Sequence, residues 1–488
     1  MPDLDNQISR HLPDRKIIVI CGREDDAEAW RDLLGNARCL AVPLDAVPQQ
    51  ERPEPLAGAS GHLVWQHSII AGLEGDGWLR READRFDPDG HALLLIPDPL
   101  DPPRAGDRPR LGRRHPTWRV FEDKTVVDTL WDLLGVPRAT SVVADSRQDL
   151  ATLGPLVDHG AGVVCATQPP ADVSAAGGDG LWWWRAESPR RKRLGGRTRL
   201  RLMPLLEGRP VRLHGLIFRS SVLAFPPMDI VSLPRLDHGT FLLAGAVPAT
   251  HSCTSELAEL TGRIGTQLRA TLSYRGAFSV DGILTVDGFR PTDFNPRLTS
   301  AIEAAPSAQR VRLHAANLLL REGIDLDVTT VEPLVGQLFG TRQTFTLYGA
   351  AATAKDNASR RIGLRWQETR LVAAESAPEE HGHISIATSL RGWLVTANLA
   401  APHLPAASPL AVLAPQVFRL CDEHLGTDFG HLIAPFGIER ATLLLAKRAS
   451  APLSLSRADP AQHAVAPASG RVPRRPATRT AADPRCDR

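Results

Sequence analysis

Two periodicities alternate along the first hundred residues. Lys16-Ile-Ile-Val-Ile-Cys21 is an unbroken run rich in β-branched residues and closed by Gly22, the pattern of a buried strand. Asp25–Leu34 then carries its apolar residues at helical spacing and stops at Gly35. Leu40–Val47 and His91–Leu100 read as further strands, the second halted by prolines, so the chain opens as an α/β layer. A Pro/Arg-rich stretch, Asp101–His115, reads as a loop or boundary. Glu122–Gly135 predicts an amphipathic helix, with Val126, Val127, Leu130, Leu133 and Leu134 on one face and Pro137 blocking its continuation.

Farther along, a strand pair is predicted at Gly160–Ala166 and Gly180–Arg185, around a Gly-rich loop, Ser174–Gly180. Arg190–Gly196 reads as another loop. Strands follow at Thr198–Leu206 and Arg212–Arg219, with a corner at Glu207-Gly208, and then a helix at Ser255–Thr271. Beyond residue 325 the pattern is β-rich again (His383–Leu399) and then helical (Leu413–Leu425). From about Ala451 the chain is rich in Pro, Ala, Arg and Ser, and the expectation is a disordered tail.

Composition narrows the classes. The 488 residues are 43% hydrophobic and 23% charged, values of a folded chain of about three domains. A net charge of +2 gives no reason to expect nucleic acid or a membrane surface as partner. No apolar run approaches the roughly 20 residues of a membrane helix, and the Lys16–Cys21 run is too short for a signal-peptide core. Six scattered cysteines without a CxxC read as buried thiols of a cytoplasmic protein. Lysine occurs only at 16, 124, 192, 355 and 447, so 52 of the 57 Lys+Arg residues are arginines and a lysine at a chemically meaningful position carries more weight.

The segment Gly276–Arg297 holds the strongest chemical signal. It reads as a hairpin whose strands meet near Asp287-Gly288. A two-residue turn at Asp287-Gly288 sets Asp281 opposite Phe294 and leaves Asp281 and Asp293 on opposite faces. A three-residue loop, Val286-Asp287-Gly288, sets Asp281 across from Asp293, with Asn295 two residues on along the same face. Two facing carboxylates repel unless a cation lies between them, and with an amide oxygen they make the partial shell that magnesium takes on a nucleotide. The alternative is a surface hairpin with solvated aspartates.

These residues resemble the metal hairpin of the ATP-grasp superfamily of carboxylate–amine and carboxylate–thiol ligases. The resemblance covers residues 119–300 and implies that Asp281, Asp293 and Asn295 hold magnesium on ATP, with Arg297 beside them; Asp293 stands where the family usually has glutamate. Phe121-Glu-Asp-Lys124 resembles the lead-in to the nucleotide-binding half, which implies that Lys124 reaches the phosphates. Leu202–Gly208 resembles the hinge strand, with the backbone at Met203 and Leu205 reading adenine and Glu207 on the ribose. Gly177 and Gly178 correspond to a lid whose N–H groups approach phosphate. The second phosphate-binding lysine of many relatives is missing from Gly162–Gln168.

Met203–Gly208, His214-Gly215, Arg275–Gly282 and Gly288–Arg297 are similar to a bacterial subgroup with a pre-ATP-grasp N-terminal domain, the pheganomycin-type peptide ligases. The resemblance implies an α+β chain. Its parts are an α/β pre-ATP-grasp domain (1–118), an ATP-grasp core (119–325), a C-terminal α+β domain (326–450) and the tail (451–488). It further implies ATP and Mg2+ as cofactors, a small carboxylate and an amine (an amino acid or short peptide) as substrates, and a homodimer as in many relatives. A nucleotide-binding protein without catalysis and an ATP-grasp kinase are the rival readings. His381-Gly-His383 and the Trp182–Trp184 run are read as structural pairs and core packing.

Overall fold

The computed structural model describes residues 2–12, 15–54, 58–102, 104–145, 147–167, 180–185, 199–249, 253–299, 302, 305–339, 344–355, 361–368, 370–374, 379–389, 392–405 and 408–450. Gly177, Gly178, the Arg190–Gly196 loop and the 451–488 tail lie outside them. Residues Met1–Ala449 form one compact unit of α+β architecture.

The first layer alternates helix and strand: α1 (Pro2–His11), β1 (Ile17–Cys21), α2 (Glu24–Leu34), β2 (Cys39–Pro43), α3 (Gly58–Ala71), α4 (Trp78–Phe86), β3 (Leu93–Leu95) and β4 (Arg110–Leu111). All four strands are parallel, in the order β2-β1-β3-β4. β1 is buried at every position because helices cover both its faces, which is why it reads as a continuous apolar run. The strands predicted at Leu40–Val47 and His91–Leu100 are shorter than expected. Prolines 43, 97 and 99 remove ladder donors at or just beyond their ends.

The Pro/Arg-rich stretch is loop apart from β4, and ion pairs pin it. Arg108 reaches Asp87 and Asp84 (both 2.7 Å), Arg110 pairs with Asp101, and the wholly buried Arg114 bonds Asp101 and Glu122. After α5 (Pro116–Arg119), the predicted helix at Glu122–Gly135 begins late, as α6 (Val127–Leu133). The Asp123 carboxylate accepts from the Thr125 N–H and hydroxyl (both 2.8 Å), so the Glu122–Val126 segment is an Asx-type turn. Lys124 therefore projects from a turn.

A small antiparallel sheet follows, order β5-β8-β6-β7, with α7 (Arg147–Val157) against it. It comprises β5 (Val142–Ala144), β6 (Val163–Thr167), β7 (Leu181–Trp184) and β8 (Leu200–Pro204). Trp182 packs in this sheet's core with Trp184 against it. Trp183, on the other face, donates to the Ala161 carbonyl (2.9 Å) and packs on Phe436.

The large sheet runs β12-β11-β9-β13-β14, with β10 also on β9. Its strands are β9 (Arg209–Ile217), β10 (Val222–Ala224), β11 (Met228–Arg235), β12 (Thr240–Pro248), β13 (Gly276–Thr285) and β14 (Gly288–Asn295). α8 (Thr254–Leu272) covers β9 and β10. Next, α9 (Ser307–Arg321) and α10 (Val328–Phe339) share one core with α1, α2 and β13, and so join the first layer to the large sheet. Last come β15 (Thr344–Ala351), β16 (Arg361–Gln367), β17 (Arg370–Ala373), β18 (Gly382–Ser389) and β19 (Gly392–Ala400), in the antiparallel order β15-β19-β18-β16-β17, with α11 (Leu410–Leu425) and α12 (Ile438–Ser450).

Candidate functional site

Between the small sheet and the large one lies a cleft of about 480 Å3. Val164, Ala166, Met203, Leu205 and Phe436 form its apolar end. Lys124, Asp281, Asp293, Asn295 and Arg297 gather at the other. Leu63 and Gln66 of α3 also reach it, so the first layer contributes to its wall.

Asp281 stands directly across from Asp293, and Asn295 from Ser279. The route to this pairing differs from the expected three-residue loop. The turn is the two residues Val286-Asp287, Thr285 pairs with Gly288, and the register shifts between Asp281 and Gly282. Thr292 is the extra residue of that bulge, and its hydroxyl donates to the Asp281 carbonyl (3.1 Å). Gly288 does adopt a positive φ of 105°, as a residue following so tight a turn requires.

Each carboxylate has its own cation. Lys124 Nζ donates to Asp293 Oδ2 at 2.6 Å. Arg212 of β9, aligned with Asp281 in the ladder, forks onto both its oxygens at 2.5 and 2.7 Å. Burial pushes the Asp281 carboxyl up, but the Arg212 guanidinium and its hydrogen bonds outweigh that and leave it below the usual carboxylate range. Burial dominates at Asp293, and with the charge of Asp281 opposite it raises that carboxyl despite Lys124. Arg212 also donates to Thr299 Oγ1 (3.2 Å), which His214 Nε2 meets at 2.8 Å.

Arg297 is held from behind. Its Nε donates to Glu122 Oε1 (2.9 Å) and its Nη2 to Asn295 Oδ1 (3.1 Å), while Arg114 donates to the same Glu122 oxygen. Asp98 accepts from the Leu298 N–H and from Arg321, which fixes the strand's exit. Burial opposes the Asp98 charge, yet Arg321 and Arg114 bring its carboxyl down to about 2.

Met203 and Leu205 line the cleft, and the Leu205 N–H donates to the Gly162 carbonyl (2.8 Å). Glu207 is exposed at the corner beside Gly437 and is not among the cleft-lining residues. His381 stacks on His403 and accepts from the Trp366 N–H, as an ordinary structural histidine does. Sequence reasoning missed Arg212, Glu122, Arg201 and Thr299. The period-two spacing of Arg212 and His214 on their strand puts both on one face, and only the register of β9 against β13 reveals that Arg212 meets Asp281.

Among the described residues no three His, Cys, Asp or Glu side chains form a metal cage. The donor set nevertheless fits magnesium on a polyphosphate. Asp293 keeps its second oxygen, Asp281 retains lone pairs beyond the two taken by Arg212, and Asn295 adds a neutral oxygen.

No family model matches this sequence, and no match to a curated protein was found. Distantly similar solved structures include the biotin carboxylase domain of the Hydrogenobacter thermophilus 2-oxoglutarate carboxylase with MgADP and bicarbonate. It is 11% identical, with a TM-score of 0.45 over 92% of each chain. N5-carboxyaminoimidazole ribonucleotide synthetase from Thermus thermophilus is 17% identical, with a TM-score of 0.45 over 83% of this chain and 98% of that one. The Thermotoga maritima enzyme of the same name is 12% identical, with a TM-score of 0.44 over 86% and 99%. Likeness this remote carries no argument about the site, whose chemistry rests on its own geometry.

Proposed function

We propose that this protein is an ATP-dependent carboxylate–amine ligase of the ATP-grasp type, acting on an amino acid or short peptide. The supporting observation is the convergence of Lys124, Asp281, Asp293, Asn295 and Arg297 at one end of a cleft whose other end is apolar. An adenine fits the apolar end, between Met203 of β8 with the adjoining Leu205 and the ring of Phe436. A polyphosphate fits the charged end. Asp281, Asp293 and Asn295 would hold magnesium, which supplies charge neutralisation on the phosphate oxygens.

In this reading the substrate carboxylate attacks the γ-phosphorus and the bond to ADP breaks. The amine then attacks the acyl carbon, inorganic phosphate leaves, and the amine sheds a proton. Lys124 and Arg297 stabilise charge on the transferring group, which is electrostatic work by preorganised donors. Glu122 and Arg114 hold the Arg297 guanidinium in position. No covalent intermediate on the protein is needed. The reading includes a cytoplasmic location and a homodimer. No helix among the described residues is long and apolar enough to cross a membrane.

Calorimetric titration of ATP with and without magnesium, on wild type and Asn295→Ala, tests the site. Magnesium-enhanced binding that the substitution weakens supports the reading. A folded wild type that binds no ATP ends it. The second reading, nucleotide binding without ligation, is favoured by Arg212 already forking onto both oxygens of Asp281. Release of ADP and phosphate with amino-acid or peptide pools separates the two, and a stable phosphorylated product would indicate a kinase.

A further inference from the structure

The small sheet's wall of the cleft is apolar except at one position. Val164 and Ala166 of β6, Leu181 of β7 and Met203 of β8 carry no charge, but Arg201 of β8 is a cleft-lining arginine with almost no solvent exposure. It stands directly across from Ala166, whose single methyl leaves the guanidinium room. The guanidinium is rigidly held. Its Nε and Nη2 donate to the two oxygens of Asp128 (2.8 and 2.5 Å), and its Nη1 donates to the Thr292 carbonyl (2.8 Å). Thr292 is the bulge residue next to Asp293, so the same bulge that brings the two carboxylates face to face also anchors this arginine beside them.

Five N–H bonds radiate from a guanidinium, and these contacts use three. One hydrogen on each terminal nitrogen remains, at a residue on the cleft wall between its apolar and charged ends. A planar fork with two donors to spare suits a phosphate oxygen pair. An arginine needed only to join α6 to the hairpin would serve equally well facing away from the cleft.

We propose that Arg201 is a second phosphate-binding cation, touching the polyphosphate between the base and Lys124, with Asp128 and Thr292 holding its plane. The assignment rests on the nucleotide reading above and names a residue for it. Arg201 thereby supplies from β8 a charge that β6 lacks.

The test compares affinities for ATP and adenosine, both by calorimetry in magnesium-free buffer, for wild type, Arg201→Met and Arg201→Lys. A phosphate contact predicts that Arg201→Met loses about ten- to a hundredfold in ATP affinity while adenosine affinity holds, so the ratio collapses. Arg201→Lys keeps the charge and should retain part of the ratio, and it serves alone where the methionine variant does not fold. A purely structural arginine predicts that both affinities change alike, and an unchanged ratio in either folded variant overturns the proposal. A wild type that binds adenosine and ATP equally also overturns it. A wild type that binds neither ends the nucleotide reading itself, and Arg201's assignment with it.

Discussion

The two walls of the cleft are built on opposite principles. Apart from Arg201, the wall formed by β6 and β8 is a surface of Val164, Ala166 and Met203, whose fit to a ligand is a matter of shape and desolvation. The wall formed by β9, β13 and β14 is a lattice of buried charges in which nearly every acid meets a guanidinium or an ammonium. The first can lose an atom and keep its fold, whereas the second cannot lose a partner without leaving a charge stranded in low dielectric. The contrast teaches that the charged wall is a stability element as well as a site, and that experiments on it must separate the two roles.

The largest expected effect comes from breaking that lattice. Asp281→Ala leaves Arg212 buried beside Thr299 without its carboxylate and should cost roughly 3–5 kcal/mol, read as a drop in denaturation midpoint. Replacing both partners, Arg212→Met with Asp281→Leu, should recover most of that stability while leaving ATP binding abolished. If the double replacement is as unstable as the single one, the buried pair contributes more than charge compensation.

How much of this was legible in the sequence follows the same division. The hairpin was legible because Asp281, Asp293 and Asn295 obey a period of two, and their facing arrangement is what the structure shows, though through a two-residue turn and a bulge at Thr292. A bulge conserves the facing pair while changing the loop, and nothing in the composition of Val286–Gly288 distinguishes the two routes. Lys124 stood out because lysine is scarce. Arg212 and Arg201 did not, because 52 arginines hide two: the ladder of β9 against β13 shows that Arg212 reaches Asp281, and only the folded chain brings Arg201 of β8 to Asp128 of α6. Helices α9 and α10 escaped because α9 is buried around most of its circumference, which blurs the amphipathic period, and α10 contains Pro333.

The second effect distinguishes the ends of the ligand. Lys124→Met removes the ammonium at Asp293 and should lower ATP affinity about a hundredfold while leaving adenosine affinity within about twofold. A parallel loss for adenosine would mean that Lys124 shapes the whole cleft and not its phosphate end.

Acid should loosen the charged wall and spare the apolar one, since Val164, Ala166 and Met203 cannot titrate. Burial, with Arg212 nearby, pushes the His214 imidazole down to about 3, and burial brings His67 and His314 down to about 4. Below pH 6.5 the unfolded chain binds protons at these rings that the folded chain does not, so stability falls as pH falls toward 4. Each ring contributes a slope of about 1.4 kcal/mol per pH unit. His214→Gln, which can still bond Thr299, should flatten the stability–pH profile by about that amount, as read from denaturant midpoints between pH 7 and pH 4.5. An unchanged slope would mean that His214 is protonated in the folded state.

The smallest effect probes the apolar wall. Leu205 is only half-buried, so Leu205→Ala should shift stability by about 1 kcal/mol or less, far below the cost of an Asp281 truncation. Its backbone N–H is engaged by Gly162 and survives the change, so β8 keeps its path. What the leucine offers a ligand is apolar area against the base, and that is the same whether one phosphate follows, three, or none. ATP and adenosine affinities should therefore fall together, by about three- to tenfold. The ratio of the two affinities is the decisive readout, because Lys124→Met should change it and Leu205→Ala should not. A Leu205→Ala variant that discriminates between ATP and adenosine would place phosphate at the apolar end and invert the assignment of the two walls.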